Sequence, residues 1–324
     1  MLLKIFSTFA LAVSVASTAH AQQPAKYPSG PVKIVVPWGA GGVSDALARK
    51  FGEELSKRIG QPFIVENRPG AAGNIGSDYV AKSKPDGLTL LLTADTIFTI
   101  NPLLYDKMPF DPAKDLAPVA MMGNMPLVLV TNPATKLKTL PEIIAAAKAK
   151  PGQLTFGTSG PGSPSALLNE LLQHRAGITV NQIPYQGNAP SVTSIVAGDT
   201  NVLFAALAGT TQFIQSGKLQ AIALASPTPW PTLPGVPTIR EAGLAGMDIE
   251  FWQLFFAPAG TPLAVIHTLN EEIRKIAQME SIRKLYEQLG MVPPPDATPE
   301  DAARRLQDGH RSWQELAKAV NLRG

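Results

Sequence analysis

The 324-residue sequence contains no cysteine. Disulfides, thiol catalysis and a lipid-modified N-terminal cysteine are therefore excluded. Histidine is scarce, with four residues at 20, 174, 267 and 310. None lies close enough to another for shared metal ligation on one helix. No Gly-x-x-x-x-Gly-Lys-Ser/Thr element exists, so the phosphate-cradling loop of nucleotide hydrolases is missing. The run "GTSGP" (157–161) has Pro161 where a nucleophile elbow needs its last glycine, which argues against Ser159 as a hydrolase nucleophile. Charge of one sign is also lacking. There are 28 basic and 25 acidic residues, a formal net charge of +3, with no basic block. Nucleic-acid binding thus has no electrostatic footprint.

Long apolar runs are absent after the N-terminus. There, Lys4 precedes an apolar stretch over 5–16, and Ala19-His20-Ala21 forms a small-x-small site. This reads as a secretory signal peptide over 1–21, too short to span a bilayer comfortably, with cleavage after Ala21. A soluble mature protein in the periplasm is expected, a compartment that permits disulfides without requiring them.

What is present is a large apolar fraction, 45% of residues. It suffices for a substantial core. Length alone suggests about two domains of roughly 150 residues. Strand-like and helix-like patterns alternate. "VKIVV" leads to a helix over about 44–59, in which Leu47, Phe51, Leu55 and Ile59 recur every four residues before Gly60. "PFIVE", a Gly-rich turn and "LTLLLT" follow. The pattern then restarts with "PLVLV", "LPEIIAAAKAK" and "LTFGTSGPGSPSALLNELL". Such alternation predicts α/β halves with mainly parallel sheets. Five prolines in "SPTPWPTLPGVPT" (226–238) predict a stiff surface connection. Thr261-Pro262 and Thr298-Pro299 are expected to start the last long helices. The apolar strands "MPLVLVTNP" and "FWQLFFAPAG" bracket the second half, as two hinge strands would.

Two glycine turns stand between a strand and a helix, "PWGAGGVSD" and "GTSGPGS". Helix N-termini carry unpaired N–H groups and a partial positive charge, so such turns bind anionic oxygens. Gly41 and Gly42 permit close approach, Ser44 offers a hydroxyl, and Asp45 is a first-turn acid or an acceptor for a ligand donor. Neither turn carries Lys or Arg. A charge-assisted hydrogen bond contributes about 1.5–3 kcal/mol, whereas micromolar affinity needs about 8 kcal/mol. A cleft closing from two lobes meets that need better than one loop. An NAD-type Rossmann enzyme is the rival reading. Gly39-Ala40-Gly41 and Glu66 suit it, but Ser44 replaces the third fingerprint glycine, and Pro37 and Trp38 crowd the turn.

Six segments in order carry a resemblance: "YPSGPVKIVVPWGAGGVSD", "VENRPGAAGNIGSDYVAKSKPDGLTLL", "PGQLTFGTSGPGSPSALL", "IPYQGNAPSVTSIVAGDTNVLF", "LPGVPTIREAGL" and "FWQLFFAPAGTP". Over residues 27–321 the chain resembles the solute-binding proteins of tripartite tricarboxylate transporters, the Bug family. The resemblance implies an α/β, two-lobed periplasmic binding protein of type II-like, Venus-flytrap form, with two hinge strands. Its lobes would be 22–124 with 254–324, and 125–253. It implies no enzyme activity and no cofactor or metal. A small organic acid would be captured between the lobes and passed, by a monomer, to two integral membrane permease subunits driven by an ion gradient. Carried over by motif, the first lobe offers Trp38, Ala40, Gly41, Gly42, Ser44 and Asp45, with Thr93, Ala94 and Asp95. The second offers Ser159, Gly160, Ser163, Tyr185 and Asn188. The chain departs from the family pattern at Ala166, where many relatives carry His, and at Asn201, where Asp is usual. An aromatic or amide ligand, stacked on Trp38 or Tyr185, and a sensory role beside a membrane kinase are the alternatives.

Overall fold

The computed structural model describes residues 27–161, 163–207, 209–247 and 249–320. The expected signal peptide and its cleavage site lie outside the described residues. Ten strands are described: β1 (Val32–Val36), β2 (Phe63–Asn67), β3 (Thr89–Ala94), β4 (Leu116–Met125), β5 (Leu127–Thr131), β6 (Thr155–Thr158), β7 (Asn181–Pro184), β8 (Val202–Ala206), β9 (Gln220–Ala225) and β10 (Phe251–Pro258). The helices are α1 (Val43–Ile59), α2 (Asn74–Ala81), the short α3 (Thr96–Thr99), α4 (Asn101–Leu104) and α5 (Pro112–Asp115), then α6 (Leu140–Ala149), α7 (Pro164–Ala176), α8 (Asn188–Ala197), α9 (Thr211–Gln215), α10 (Leu263–Ala277), α11 (Glu280–Gln288) and α12 (Pro299–Val320).

The strands form two five-stranded sheets, ordered β2-β1-β3-β10-β4 and β7-β6-β8-β5-β9. In the first, β1 pairs parallel with β2 and β3, while β10 runs antiparallel to β3 and β4. In the second, β6 pairs parallel with β7 and β8, and β5 runs antiparallel to β8 and β9. Alternation in sequence thus gives βαβ crossovers, with one reversed strand in each sheet where the chain changes lobes. The change occurs between Met125 and Leu127, at Pro126, and again between Ala225 and Phe251. Proline has no N–H to donate, so the ladder breaks there at little loss.

The core follows the predicted periodicity. Leu47, Phe51 and Leu55 of α1 are fully buried against Ile34, Leu90 and Leu92. Gly60 ends α1 in the left-handed region, φ +80°, its N–H bonded to Ser56 O. At the start of α12, Thr298 Oγ1 accepts from Asp301 N–H at 3.2 Å and the Asp301 carboxylate accepts from Thr298 N–H at 2.9 Å. That is a reciprocal cap of the kind expected. At α10 the expectation fails. Pro262 occupies the cap position, no side chain caps the helix, and the Thr261 hydroxyl instead donates to Pro258 O at 2.7 Å. The hydroxyl finds a nearer acceptor in the turn that precedes it.

The proline-rich segment also differs from a surface connection. Trp230 and Leu233 within it are buried with Val128, Val130 and Leu224. The Trp230 indole donates to Gly290 O at 3.1 Å, across to the segment after α11. Two large apolar side chains among the prolines gain more from burial than the stiff backbone gains from solvent. Gly290, φ +63°, faces Leu207 so closely that an added Cβ would overlap its side chain. Gly290→Ala is expected to lower stability by about 2–3 kcal/mol through overlap and left-handed strain. Scanning calorimetry would register it as a fall in Tm of roughly 5–10 °C.

Candidate ligand cleft

The pairing places the glycine turns. Phe251 and Gln253, at the start of β10, pair with Met125 and Gly123 near the end of β4, and Gln253 pairs with Ala94 at the end of β3. The crossing to the second lobe therefore leaves the first sheet at the edge where β1 and β3 end. Leu127, at the start of β5, pairs with Ala206 and Ala225, at the ends of β8 and β9. The chain thus enters the second sheet at the edge where β6, β7 and β8 end. Both lobes turn the C-terminal edges of their parallel strands toward the crossing. The turns after β1, β3, β6 and β7 lie on those two edges, where α/β sheets bind ligands.

The first turn is built around Asp45. Its carboxylate accepts from Gly41 N–H at 3.0 Å, from Asn67 Nδ2 at 3.0 Å, and from Arg49 Nε and an Arg49 terminal nitrogen at 3.0 and 2.9 Å. Burial would raise its pKa, but the hydrogen bonds from Arg49, Gly41 and Asn67 more than offset this and hold it below the usual carboxylate range. Asp45 is therefore an ionised organiser of the turn whose acceptor sites are in use. Gly41 takes φ +83°, which explains a glycine there. Residues 39–42 are exposed, and Gly42, at the cap position of α1, gives the helix no side-chain cap. The start of this 17-residue helix is thus left without a side-chain cap, on the sheet edge that faces the crossing. Trp38, half-buried, donates from its indole to Thr93 Oγ1 at 3.1 Å and holds Asn67 through its carbonyl at 3.2 Å.

Ser44 is buried, and its hydroxyl donates to Gln253 Oε1 at 2.7 Å. Thr93, Ala94 and Asp95 are all buried at the end of β3. Asp95 takes a backbone hydrogen bond from Trp252, and its Oδ1 has no hydrogen-bond partner. Burial pushes its pKa up to about 7, against the lowering effects of Trp252 N–H and Arg305.

The second-lobe turn is less open. Ser159 N–H donates to Ser165 Oγ at 2.7 Å, Gly160 N–H to Thr158 Oγ1 at 3.3 Å, and Ala166 N–H to Ser163 Oγ at 3.3 Å. Serine and threonine side chains thus occupy several of the amides this turn was expected to offer. The freer helix start in this lobe is that of α8, which has no side-chain cap after Gly187, φ +112°. Asn188 fixes it by accepting Ala206 N–H at 3.1 Å. Tyr185, half-buried, begins the same loop, its N–H bonded to Thr158 O at 2.9 Å.

Arg49, Asn67, Gln253 and Ser165 were not anticipated from sequence. Asn67 had a signal, an amide residue at a strand end before Arg-Pro-Gly. Gln253 had none, because it meets Ser44 from 209 positions away. Asn201 sits at the opposite edge of the second sheet, where its Oδ1 accepts from Thr155 N–H at 2.9 Å and from Thr155 Oγ1 at 2.8 Å. A carboxylate can accept both bonds. Asn201→Asp is accordingly expected to leave ligand affinity unchanged and stability within about 0.5 kcal/mol, by titration and denaturant unfolding. Among the described residues, no group of three or more His, Cys, Asp or Glu could hold a metal ion.

Residues 47–322 match the sequence model of the family described as "Tripartite tricarboxylate transporter family receptor". This chain belongs to that family. The chain is 35% identical to Protein BugT of Bordetella pertussis over 323 residues, covering 99% of this chain and 98% of the relative. Among solved structures, Rpa4515 of R. palustris with adipate superimposes with a TM-score of 0.85 at 30% identity, covering 91% of this chain and 98% of that one. MatC from Rhodopseudomonas palustris, with bound malate, superimposes at 0.83 with 29% identity, covering 90% and 99%. The receptor fold is thus the two-lobed α/β form that the resemblance implied, and its members are periplasmic solute-binding proteins that serve a membrane transporter. Neither a Rossmann enzyme nor a hydrolase is consistent with that membership.

Proposed function

We propose that this receptor captures a small organic acid between its lobes, the carboxylate lying on the helix starts of the first turn and the α8 loop. The observation that carries this reading is the uncapped start of α1 beside the exposed 39–42 turn, with the adjacent cation, Arg49, committed to Asp45. Two relatives whose structures hold dicarboxylates, adipate and malate, support the ligand class. Trp38 and Tyr185 flank the two loops and supply apolar surface for the body of the acid, and Ser163, Ser159 and Asn188 shape the second side. The mature protein begins after Ala21 and delivers its ligand to a permease of two integral membrane subunits driven by an ion gradient. The lobes are taken as 22–124 with 254–324, and 125–253.

Micromolar binding corresponds to about 8 kcal/mol, or three to five charge-assisted hydrogen bonds before ordering losses. That number of donors requires both lobes. Isothermal titration with adipate, malate, amino acids and aromatic acids tests the reading. One acid class is expected to bind one-to-one at micromolar Kd or tighter, and to be recovered unchanged. Failure of every acid to bind, or recovery of a product, would overturn it.

A further inference from the structure

The last helix joins parts of the molecule that the two crossings separate. Over 22 residues α12 extends about 33 Å. Its first half belongs to the first lobe, where Ala302 and Leu306 are buried with Val35, Leu91 and Trp252. Its second half reaches the other lobe. Trp313 is 5% exposed and shares a cluster with Leu127, Leu129, Leu167 and Leu171. The helix also contacts α7. Trp313 meets Phe251, the first residue after the return crossing, with ring centroids 6.5 Å apart.

Between these ends, α12 grips both crossings. The Arg305 guanidinium lies 4.4 Å from the Trp252 ring centroid and pairs with Glu250. Glu250 also accepts from Asn124 Nδ2 at 2.8 Å. Asn124 lies two residues before the outward crossing at Pro126, and Glu250 immediately precedes β10. One arginine thus ties the outgoing chain to the returning one through a single carboxylate. One turn further on, the His310 ring donates from Nδ1 to Thr99 O at 3.0 Å, fixing the helix against α3.

We propose that α12 is a strut across the hinge, in which Arg305 clamps the two crossings and Trp313 braces the second lobe, so that both are positioning residues that set the resting angle between the lobes. Rotation of one lobe on the other must slide Trp313 over Phe251 and the α7 surface, or strain the Arg305–Glu250–Asn124 chain. The strut therefore biases the equilibrium between open and closed forms and, resting on the proposed cleft, changes ligand affinity without touching the ligand.

The absence of native cysteine makes the test direct. Spin labels are placed through Lys82→Cys in the first lobe and Thr193→Cys in the second, both exposed. Distances between labels are measured by pulsed electron resonance in the ligand-free protein. Arg305→Ala and Trp313→Ala are each expected to broaden the distance distribution and move its mean. Trp313→Phe, which keeps an aromatic brace, is expected to restore the wild-type distribution. Arg305 is half-exposed, so its variant keeps the experiment informative if Trp313→Ala fails to fold. A distribution unchanged in Arg305→Ala, or one that Trp313→Phe does not restore, overturns the strut. Adipate titration of the same variants is expected to show about a tenfold change in Kd. Wild-type protein that binds no acid would reject the ligand reading, while the distance measurement would still decide the strut.

Discussion

Asp45→Asn is expected to weaken ligand binding by at least tenfold and to destabilise the receptor by about 2–4 kcal/mol. Three groups converge on this buried carboxylate: Gly41 N–H, Asn67 and the Arg49 guanidinium. An asparagine of the same shape presents an NH2 where a second oxygen stood, so at least one donor loses its acceptor. The turn is then no longer held at Gly41, and Arg49 is left without its counter-charge. Binding suffers because the α1 N–H groups lose their fixed aim, not because a ligand contact is removed. The pH dependence separates this account from simple loss of packing. The folded pKa of Asp45 is lowered, with burial opposing and Arg49, Gly41 and Asn67 prevailing. Its stabilisation is therefore present above the unfolded pKa of about 3.9 and is lost as pH falls through the lower folded value. The gap between wild-type and Asp45→Asn in urea unfolding should be full at pH 7 and close in strong acid. A gap constant from pH 7 to pH 2 would contradict the role assigned to the charge.

Asp95→Asn is expected to have the opposite sign. Burial raises the Asp95 pKa from 3.8 to about 7, with Trp252 N–H and Arg305 only partly opposing. A raised acid favours the folded state below its unfolded pKa, and that contribution is lost as pH rises through the folded value. Wild-type stability should thus decline between about pH 4 and pH 7 from this group, by up to about 4 kcal/mol. The asparagine variant carries no such charge. It should unfold at higher urea than wild-type at pH 8, with the advantage shrinking toward pH 4. If Asp95→Asn is destabilised at pH 8, the carboxylate has a partner that compensates its burial.

The two acids show how far residue types reach. Asp45 and Asp95 each follow a β-strand of the first sheet and were expected together as cleft residues. Their surroundings separate them: one is ionised by three donors, the other is buried with an oxygen left unpaired. Two of the Asp45 donors, Gly41 and Arg49, lie only four residues away, but Asn67, and the Trp252 and Arg305 that act on Asp95, are distant in the chain, so the local pattern held only part of the difference. By contrast, α1 was legible because its determinants are local. Leu47, Phe51 and Leu55 recur at helical spacing, and Gly60 supplies the left-handed stop. The glycine turns were legible as turns. Their unequal amide accounting was not, because the hydroxyls of Ser163, an expected site residue, and Ser165, an unexpected one, bond each other and the N–H groups of Ala166 and Ser159. Trp230 was misplaced for a similar reason. Proline density spoke for an exposed link, while its indole required a partner that only the tertiary fold provides, at Gly290.

The central claim is that acid groups are gripped by backbone amides at helix starts in facing lobes. A crystal structure of the complex with the tightest-binding acid tests it most directly, through the distances from each carboxylate oxygen to its donors. Main-chain nitrogens at the start of α1 and in the α8 loop are predicted within about 2.7–3.2 Å of one carboxylate, directly or through one water, with Arg49 still paired to Asp45. A carboxylate seated on Arg49 or another arginine or lysine, or a ligand lodged away from both loops, would contradict the account.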